Sequence, residues 1–185
     1  MKITKPKTAK SLKPSKLKPA VRAVPEPAAG LALKQILVPT DFSEQSQKAL
    51  RYAIGFAEQF SAAITLLHVF EPFTYPAEMG YVPAEMQTDW DSLRKAATER
   101  LDALAKKELT GSVRGATLVR SGSPFNEIVA AARELDVDLI IIATHGYSGL
   151  KHLLLGSTAE RVVRHAPCPV LVVRQRERDF VGGRV

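Results

Sequence analysis

The residues best suited to chemistry lie between Asp138 and Glu160. Asp138-Leu139-Ile140-Ile141-Ile142-Ala143 is largely a run of branched apolar residues that breaks into Thr144-His145-Gly146-Tyr147-Ser148-Gly149. A few residues on, Gly156-Ser157-Thr158-Ala159-Glu160 opens a new periodic segment. Glycines just past an apolar strand let backbone come close to a ligand, and a helix start offers N–H groups with no intrahelical partner. Two hydroxyls stand at that start. The set suits a small anion, and a phosphate first of all.

Other chemistries fit less well. The stretch is not a Walker A loop: Lys151 stands near enough to reach a phosphate, but no Lys-Ser/Thr pair follows a glycine at the required spacing. Ser157 lacks the flanking pattern of a nucleophile-elbow serine. His145 lies beside the phosphate-suited turn; it is read as a turn residue that positions ligand, with general acid–base catalysis as the sharper alternative. His68 reads as a packed, hydrogen-bonded strand residue. His152 and His165 have no partners at metal-ligand spacing, so no metal site is expected. Cys168, the single cysteine, precedes Pro169-Val170-Leu171-Val172-Val173 and reads as a buried structural thiol suited to a reducing compartment.

These residues need a scaffold, and the pattern supplies one. Ile36 to Pro39 reads as a first strand, stopped by a residue that cannot donate to a ladder. Thr40 to Ser43 is a turn, with Ser43 or Asp41 capping a helix from about Glu44 to Phe60 whose apolar face is Ala49, Leu50, Ala53, Phe56, Ala57 and Phe60. Ile64 to Phe70 is a second strand. A long Pro-bearing loop over 71–88 leads into a helix marked by Trp90, Leu93, Ala97, Leu101 and Leu104, which ends near Leu109-Thr110-Gly111. Ala116 to Arg120 is a third strand. Ser123-Pro124 starts a helix with Ile128, Val129, Ala132 and Leu135 on its apolar face. Leu139 to Ala143, a short helix over about Ser157 to His165, and Pro169 to Val173 complete the alternation. Strands alternating with helices predict an α/β fold: a doubly wound, Rossmann-like, five-stranded parallel sheet with helices on both faces. In such sheets ligands bind outside the carboxyl ends of the strands.

The chain has 185 residues and a formal net charge of +7. Residues 1–30 carry eight basic residues against Glu26 alone, while the 18 basic and 18 acidic residues elsewhere cancel. The whole excess therefore belongs to a Lys- and Pro-rich tail, which is expected to be disordered and is read as a solvated extension that aids solubility. The sharper alternative is an arm that touches nucleic acid or an acidic partner weakly and without sequence preference, through phosphate or carboxylate contacts. Residues 31–175 form the expected folded domain and residues 176–185 a frayed C-terminal tail. No apolar run approaches a membrane span, and no secretory signal is recognisable, so a cytoplasmic protein is expected.

Ile36-Leu37-Val38-Pro39-Thr40-Asp41-Phe42-Ser43, then Leu67-His68-Val69, then the span from Asp138 to Arg174 resemble a universal stress protein of the UspA type. The resemblance runs from about Leu33 to Arg174 and rests on three separated motifs in the expected order. It implies a fold of the adenine nucleotide α-hydrolase-like kind. The nucleotide-binding branch of that family carries a glycine, two residues, a glycine, nine residues, a glycine and then Ser or Thr. Those positions are Ala143, Gly146, Gly156 and Ser157, so the first glycine is alanine here. If that position needs a positive φ, alanine costs on the order of 1 kcal/mol; if it needs only close approach, a methyl is tolerable.

The resemblance implies that Pro39, Thr40 and Asp41 line the adenine and ribose end, with Asp41 bonding a ribose hydroxyl in preference to holding Mg2+ indirectly. It implies that Val69 meets the base through its backbone. Ala143, Thr144, His145, Gly146, Tyr147, Ser148 and Gly149 would wrap ribose and phosphates, and Gly156, Ser157, Thr158 and Ala159 would meet the phosphates. It further implies ATP, with or without Mg2+, as the ligand and a homodimer pairing through the last strand. No general base is evident, so the expected role is a stress-response sensor or regulator that holds ATP. The alternatives are a slow ATPase using His145 or Asp41, and a nucleotide-free interaction module acting through the basic tail.

Overall fold

The computed structural model describes residues 32–71, 90–144 and 155–175, together with Val181. The chain divides into two units, Met1–Leu31 and Ala32–Val185, and every element below belongs to the second. The basic tail, most of the 71–88 loop, the stretch from His145 to Leu154 and most of 176–185 lie outside the described residues.

Five strands alternate with four helices: β1 (Gln35–Pro39), α1 (Glu44–Phe60), β2 (Ala63–Phe70), α2 (Trp90–Glu108), β3 (Arg114–Ser121), α3 (Pro124–Glu134), β4 (Leu139–Ala143), α4 (Ser157–His165) and β5 (Val170–Val173). All neighbours pair in parallel, in the order β3-β2-β1-β4-β5. Successive strand side chains point to opposite faces, and here both faces are covered. Ile36, Val38, Ile64, Leu66 and Ile141 pack with Ala49, Leu50 and Ala53 of α1 and Leu101 of α2. Leu37, Leu67, Ile140 and Ile142 pack with Ile128 and Ala132 of α3 and with Ala159 and Val162 of α4. The sheet is therefore doubly wound, as its sequence predicts.

Local signals set the boundaries. Ser43 is the N-cap of α1, its Oγ accepting the Ser46 N–H at 3.2 Å. The helix ends where Ser61 turns left-handed at φ 56°. Gly111, at φ 71°, follows the end of α2, where a glycine enters that conformation without Cβ strain. Strand β3 is longer than expected because it pairs with β2 along its whole length, from Arg114 opposite Ala63 to Ser121 opposite Phe70.

Three expected apolar positions fail to bury. Leu135 does not sit on the face of α3; it is the C-cap and is 39% exposed. Trp90 and Leu93 are likewise exposed, and α2 is buried only at Leu101. Trp90 instead stacks on Phe70, with ring centroids 6.5 Å apart. Cys168 is half-buried against the second core cluster, and burial pushes its thiol pKa up.

At the amino end of the sheet, Asp138 ties β4 to β1. Its carboxylate accepts the N–H groups of Lys34 at 2.7 Å and Gln35 at 2.9 Å, and its own N–H donates to the Gln35 carbonyl. Those two donors hold the carboxyl below its ordinary value of 3.8. A lowered folded pKa means stability that is present above the unfolded value and is lost as pH falls through the folded one. Asp138→Asn should cost about 1 kcal/mol at pH 7, the worth of charge-assisted hydrogen bonds reduced by solvent screening. Urea unfolding should show the difference from the parent narrowing below about pH 4.

Candidate functional site

The strand order reverses between β1 and β4, because β1 is followed by β2 on one side while β4 lies on the other. A crevice outside the carboxyl ends at such a reversal is where open α/β sheets bind ligands. Among the described residues the rim there is made by the turn after β1, by Thr144 and by the start of α4.

The turn after β1 is locked by its own short polar side chains. The Thr40 N–H donates to the Leu67 carbonyl at 2.8 Å, which extends the β1–β2 pairing by one residue. Thr40 Oγ1 accepts the Phe42 N–H at 3.0 Å and lies 3.0 Å from Ser46 Oγ. Asp41 Oδ1 accepts both the N–H and the hydroxyl of Ser43, at 3.0 and 2.6 Å, an Asx-type turn that sets up the α1 cap. Thr40, Ser43 and Ser46 are all buried and all bonded, as buried polar groups must be. His68 Nδ1 lies 2.8 Å from the Thr40 carbonyl; a carbonyl only accepts, so Nδ1 carries the proton. His68 is thus the packed, hydrogen-bonded residue expected of it.

On the other side of the rim, β4 ends at Ala143 and hands over to buried Thr144. The Thr144 N–H donates to the Val173 carbonyl, and its carbonyl accepts the Gly156 N–H at 2.8 Å. That last bond moors the start of α4 at the carboxyl end of β4. Gly156 is the N-cap, in extended backbone at φ −69° and ψ 151°, and supplies no side-chain cap. The helical ladder begins with the Glu160 N–H on the Gly156 carbonyl, so the N–H groups of Ser157, Thr158 and Ala159 precede it. Partial positive charge of about half an elementary unit collects at such a terminus.

The rim therefore brings together Pro39, Thr40, Asp41, Ala143, Thr144 and the run Gly156 to Ala159, with Val69 one residue before the end of neighbouring β2. His145, Gly146, Tyr147, Ser148 and Gly149 lie outside the described residues. Ala143 sits inside a strand and is not among the positive-φ residues, so its methyl costs no backbone strain. Glycine there would serve only close approach.

Two features of this end of the sheet escape a reading of the sequence. Phe42 holds a left-handed φ of 65°, which costs a bulky residue about 1–2 kcal/mol. Its ring contacts that of His68 and the guanidinium of Arg100. The Thr40–Ser43–Ser46 hydroxyl spacing is the one signal that would have exposed the polar lock. Farther along the rim, a cavity of about 350 Å³ is lined by Phe70, Arg94, Val119, Arg120, Ser121, Glu127 and Glu134. Arg120 is paired with Glu134 and, at 3.6 Å, with Glu127. The hydrogen bond between Arg120 and Glu134 raises the pKa of the first and lowers that of the second. Among the described residues no group of three or more His, Cys, Asp or Glu side chains could hold a metal ion. No helix among them is long and apolar enough to cross a membrane.

Comparison with known proteins agrees with this fold. A model of the Universal stress protein family matches residues 32–174. A universal stress protein of Methanocaldococcus jannaschii is 36% identical over 148 residues, which cover 79% of this chain and 85% of the relative. The solved structure of a second protein from that organism, MJ0577, superposes with a TM-score of 0.67 at 31% identity, covering 80% of this chain and all of the other. The fold is also shared with a universal stress protein in complex with cAMP, at a TM-score of 0.54, 24% identity and coverage of 79% of this chain and all of the other. It is shared again with one from Archaeoglobus fulgidus in complex with dAMP, at 0.52, 23% identity and coverage of 77% and 99%.

Proposed function

Because the chain belongs to the universal stress protein family, we propose that it binds an adenine nucleotide, ATP above others, on the rim between β1 and β4. The observation that carries the reading is the mooring of the α4 N-terminus, through Gly156 and Thr144, at the point where strand order reverses. N–H groups at a helix start and the hydroxyls of Ser157 and Thr158 suit phosphate oxygens, and each charge-assisted hydrogen bond is worth about 1.5–3 kcal/mol. Pro39, Thr40 and Asp41 would take the adenosine end, with Asp41 toward a ribose hydroxyl and the Val69 backbone toward the base. The stretch from Ala143 through Gly149 would wrap ribose and phosphates, and Ala159 would join the phosphate-binding N–H groups. Proteins of the same fold in complex with cAMP and with dAMP support an adenine ligand for this architecture.

In this reading the protein holds ATP, with or without Mg2+, as a stress-response sensor or regulator in the cytoplasm. Mass spectrometry of protein purified without added nucleotide tests it: retained adenine nucleotide is expected. Rapid steady-state phosphate release would refute the holding role and favour turnover. The tail's excess charge supports a further, salt-sensitive contact with nucleic acid or an acidic partner.

The proposed assembly is a homodimer through β5. This strand is paired with β4 on one side, and an apolar edge needs cover. Leu171, half-buried in β5, would lie in that interface. Leu171→Lys should convert dimer to monomer or lower stability, read by analytical ultracentrifugation, since an unpaired charge is costly to bury. An unaltered dimer of parental stability would place the interface elsewhere.

A further inference from the structure

We infer that Phe42, clasped by Arg100 of α2 and His68 of β2, holds the β1–α1 turn in its observed shape, which makes Arg100 a positioning residue for the ligand of that turn. The role of the turn in binding rests on the proposed function; the clasp itself does not.

Phe42 occupies a left-handed conformation that glycine enters freely and bulky side chains avoid. Such outliers persist only where the surroundings over-determine them. Here the surroundings are identifiable. The Arg100 guanidinium carbon lies 4.1 Å from the Phe42 ring centroid, well inside the range of a cation–π contact. The His68 ring lies 4.6 Å from Phe42, centroid to centroid, at a tilt of 43°. His68 is itself fixed by its bond to the Thr40 carbonyl, and Arg100 is carried by α2, whose one buried residue, Leu101, is next to it in the chain. The ring thus joins three elements at the turn whose side chains are Thr40 and Asp41. Among the described residues Arg100 forms no salt bridge, and its guanidinium contacts the Phe42 ring.

Amide-resolved hydrogen exchange on the ligand-free full chain tests the clasp. The reporters are the Phe42 and Ser43 N–H groups, which close the turn onto Thr40 and Asp41. Arg100→Gln should speed their exchange about threefold, the fold-change expected of an exposed cation–π contact. Arg100→Lys should restore most of the protection. Phe42→Gly should speed exchange about tenfold even though it relieves the backbone, while amides in β1 and β4 keep their parental rates. Phe42→Gly at or below the parental rate overturns the inference, because the turn would then need only a residue that tolerates positive φ. Parental exchange in Arg100→Gln overturns it as well. ATP titration of the same variants should show weaker affinity by a similar factor; faster exchange with unchanged affinity overturns the positioning role. A parent protein that binds no ATP refutes the proposed function instead, and the exchange rates still decide the clasp.

Discussion

Replacing Gly156 with aspartate is expected to cut ATP affinity more than a hundredfold while leaving the fold as stable as the parent or slightly more so. The two effects have opposite signs because they share one cause. Gly156 is the N-cap of α4 in extended backbone, the conformation an aspartate cap adopts, and it brings no side-chain cap of its own. An aspartate there would accept an N–H of the first turn and favour the helix by a few tenths of a kcal/mol, with a similar gain from the macrodipole. The same carboxylate would occupy the N–H groups offered to phosphate and would repel it. Two unit charges about 4 Å apart near a protein surface interact by about 4 kcal/mol, more than the 2.8 kcal/mol of a hundredfold loss. Titration with ATP and a thermal melt, run on the same sample, check both halves. Unchanged affinity would contradict the placement of the phosphates at α4.

The second large effect is expected at Leu101. It is fully buried, and it alone is buried among the 19 residues of α2. Leu104, Ala105 and Leu109 pack only partly against the same cluster. Leu101→Ala removes the side chain that seats the helix on β2 and β3. The expected cost is about 3 kcal/mol, within the range for large-to-small changes in a core. Chemical denaturation gives the total. Hydrogen exchange should show α2 losing protection before the strands do, since a helix with a single fully buried side chain is the first to open. Equal loss of protection across the sheet would mean that Leu101 serves the whole core. The Arg100–Phe42 contact should weaken in this variant too, because α2 carries Arg100 next to Leu101.

Much of the fold was legible in the chain because local and long-range signals agreed. Glu44–Phe60 forms α1 over the expected residues, since a serine cap and a three- and four-residue apolar spacing point to one helix. Leu139–Ala143 forms β4, because a short run of branched residues bounded by polar ones suits a strand buried on both faces. Ser157–His165 forms α4 over the expected residues, with Ala159 and Val162 buried. What periodicity misread was decided by neighbours distant in sequence. Leu135 carries the right spacing for α3, but the helix ends one residue earlier. Trp90 and Leu93 carry the right spacing for α2, but of that helix only Leu101 is buried. The candidate site divides in the same way. Thr40, Asp41 and Gly156 stand out by residue type beside an apolar run. Phe42 and Arg100 are 58 positions apart in the chain, and neither belongs to a pattern that would join them.

The most direct measurement of the central claim is a calorimetric titration of nucleotide-free full-length protein with ATP, with and without Mg2+. The account predicts one site per chain and a dissociation constant in the micromolar range, about 8 kcal/mol of binding free energy. No heat up to about 1 mM ATP, a level at which even a complex of about 4 kcal/mol would be half formed, would contradict it.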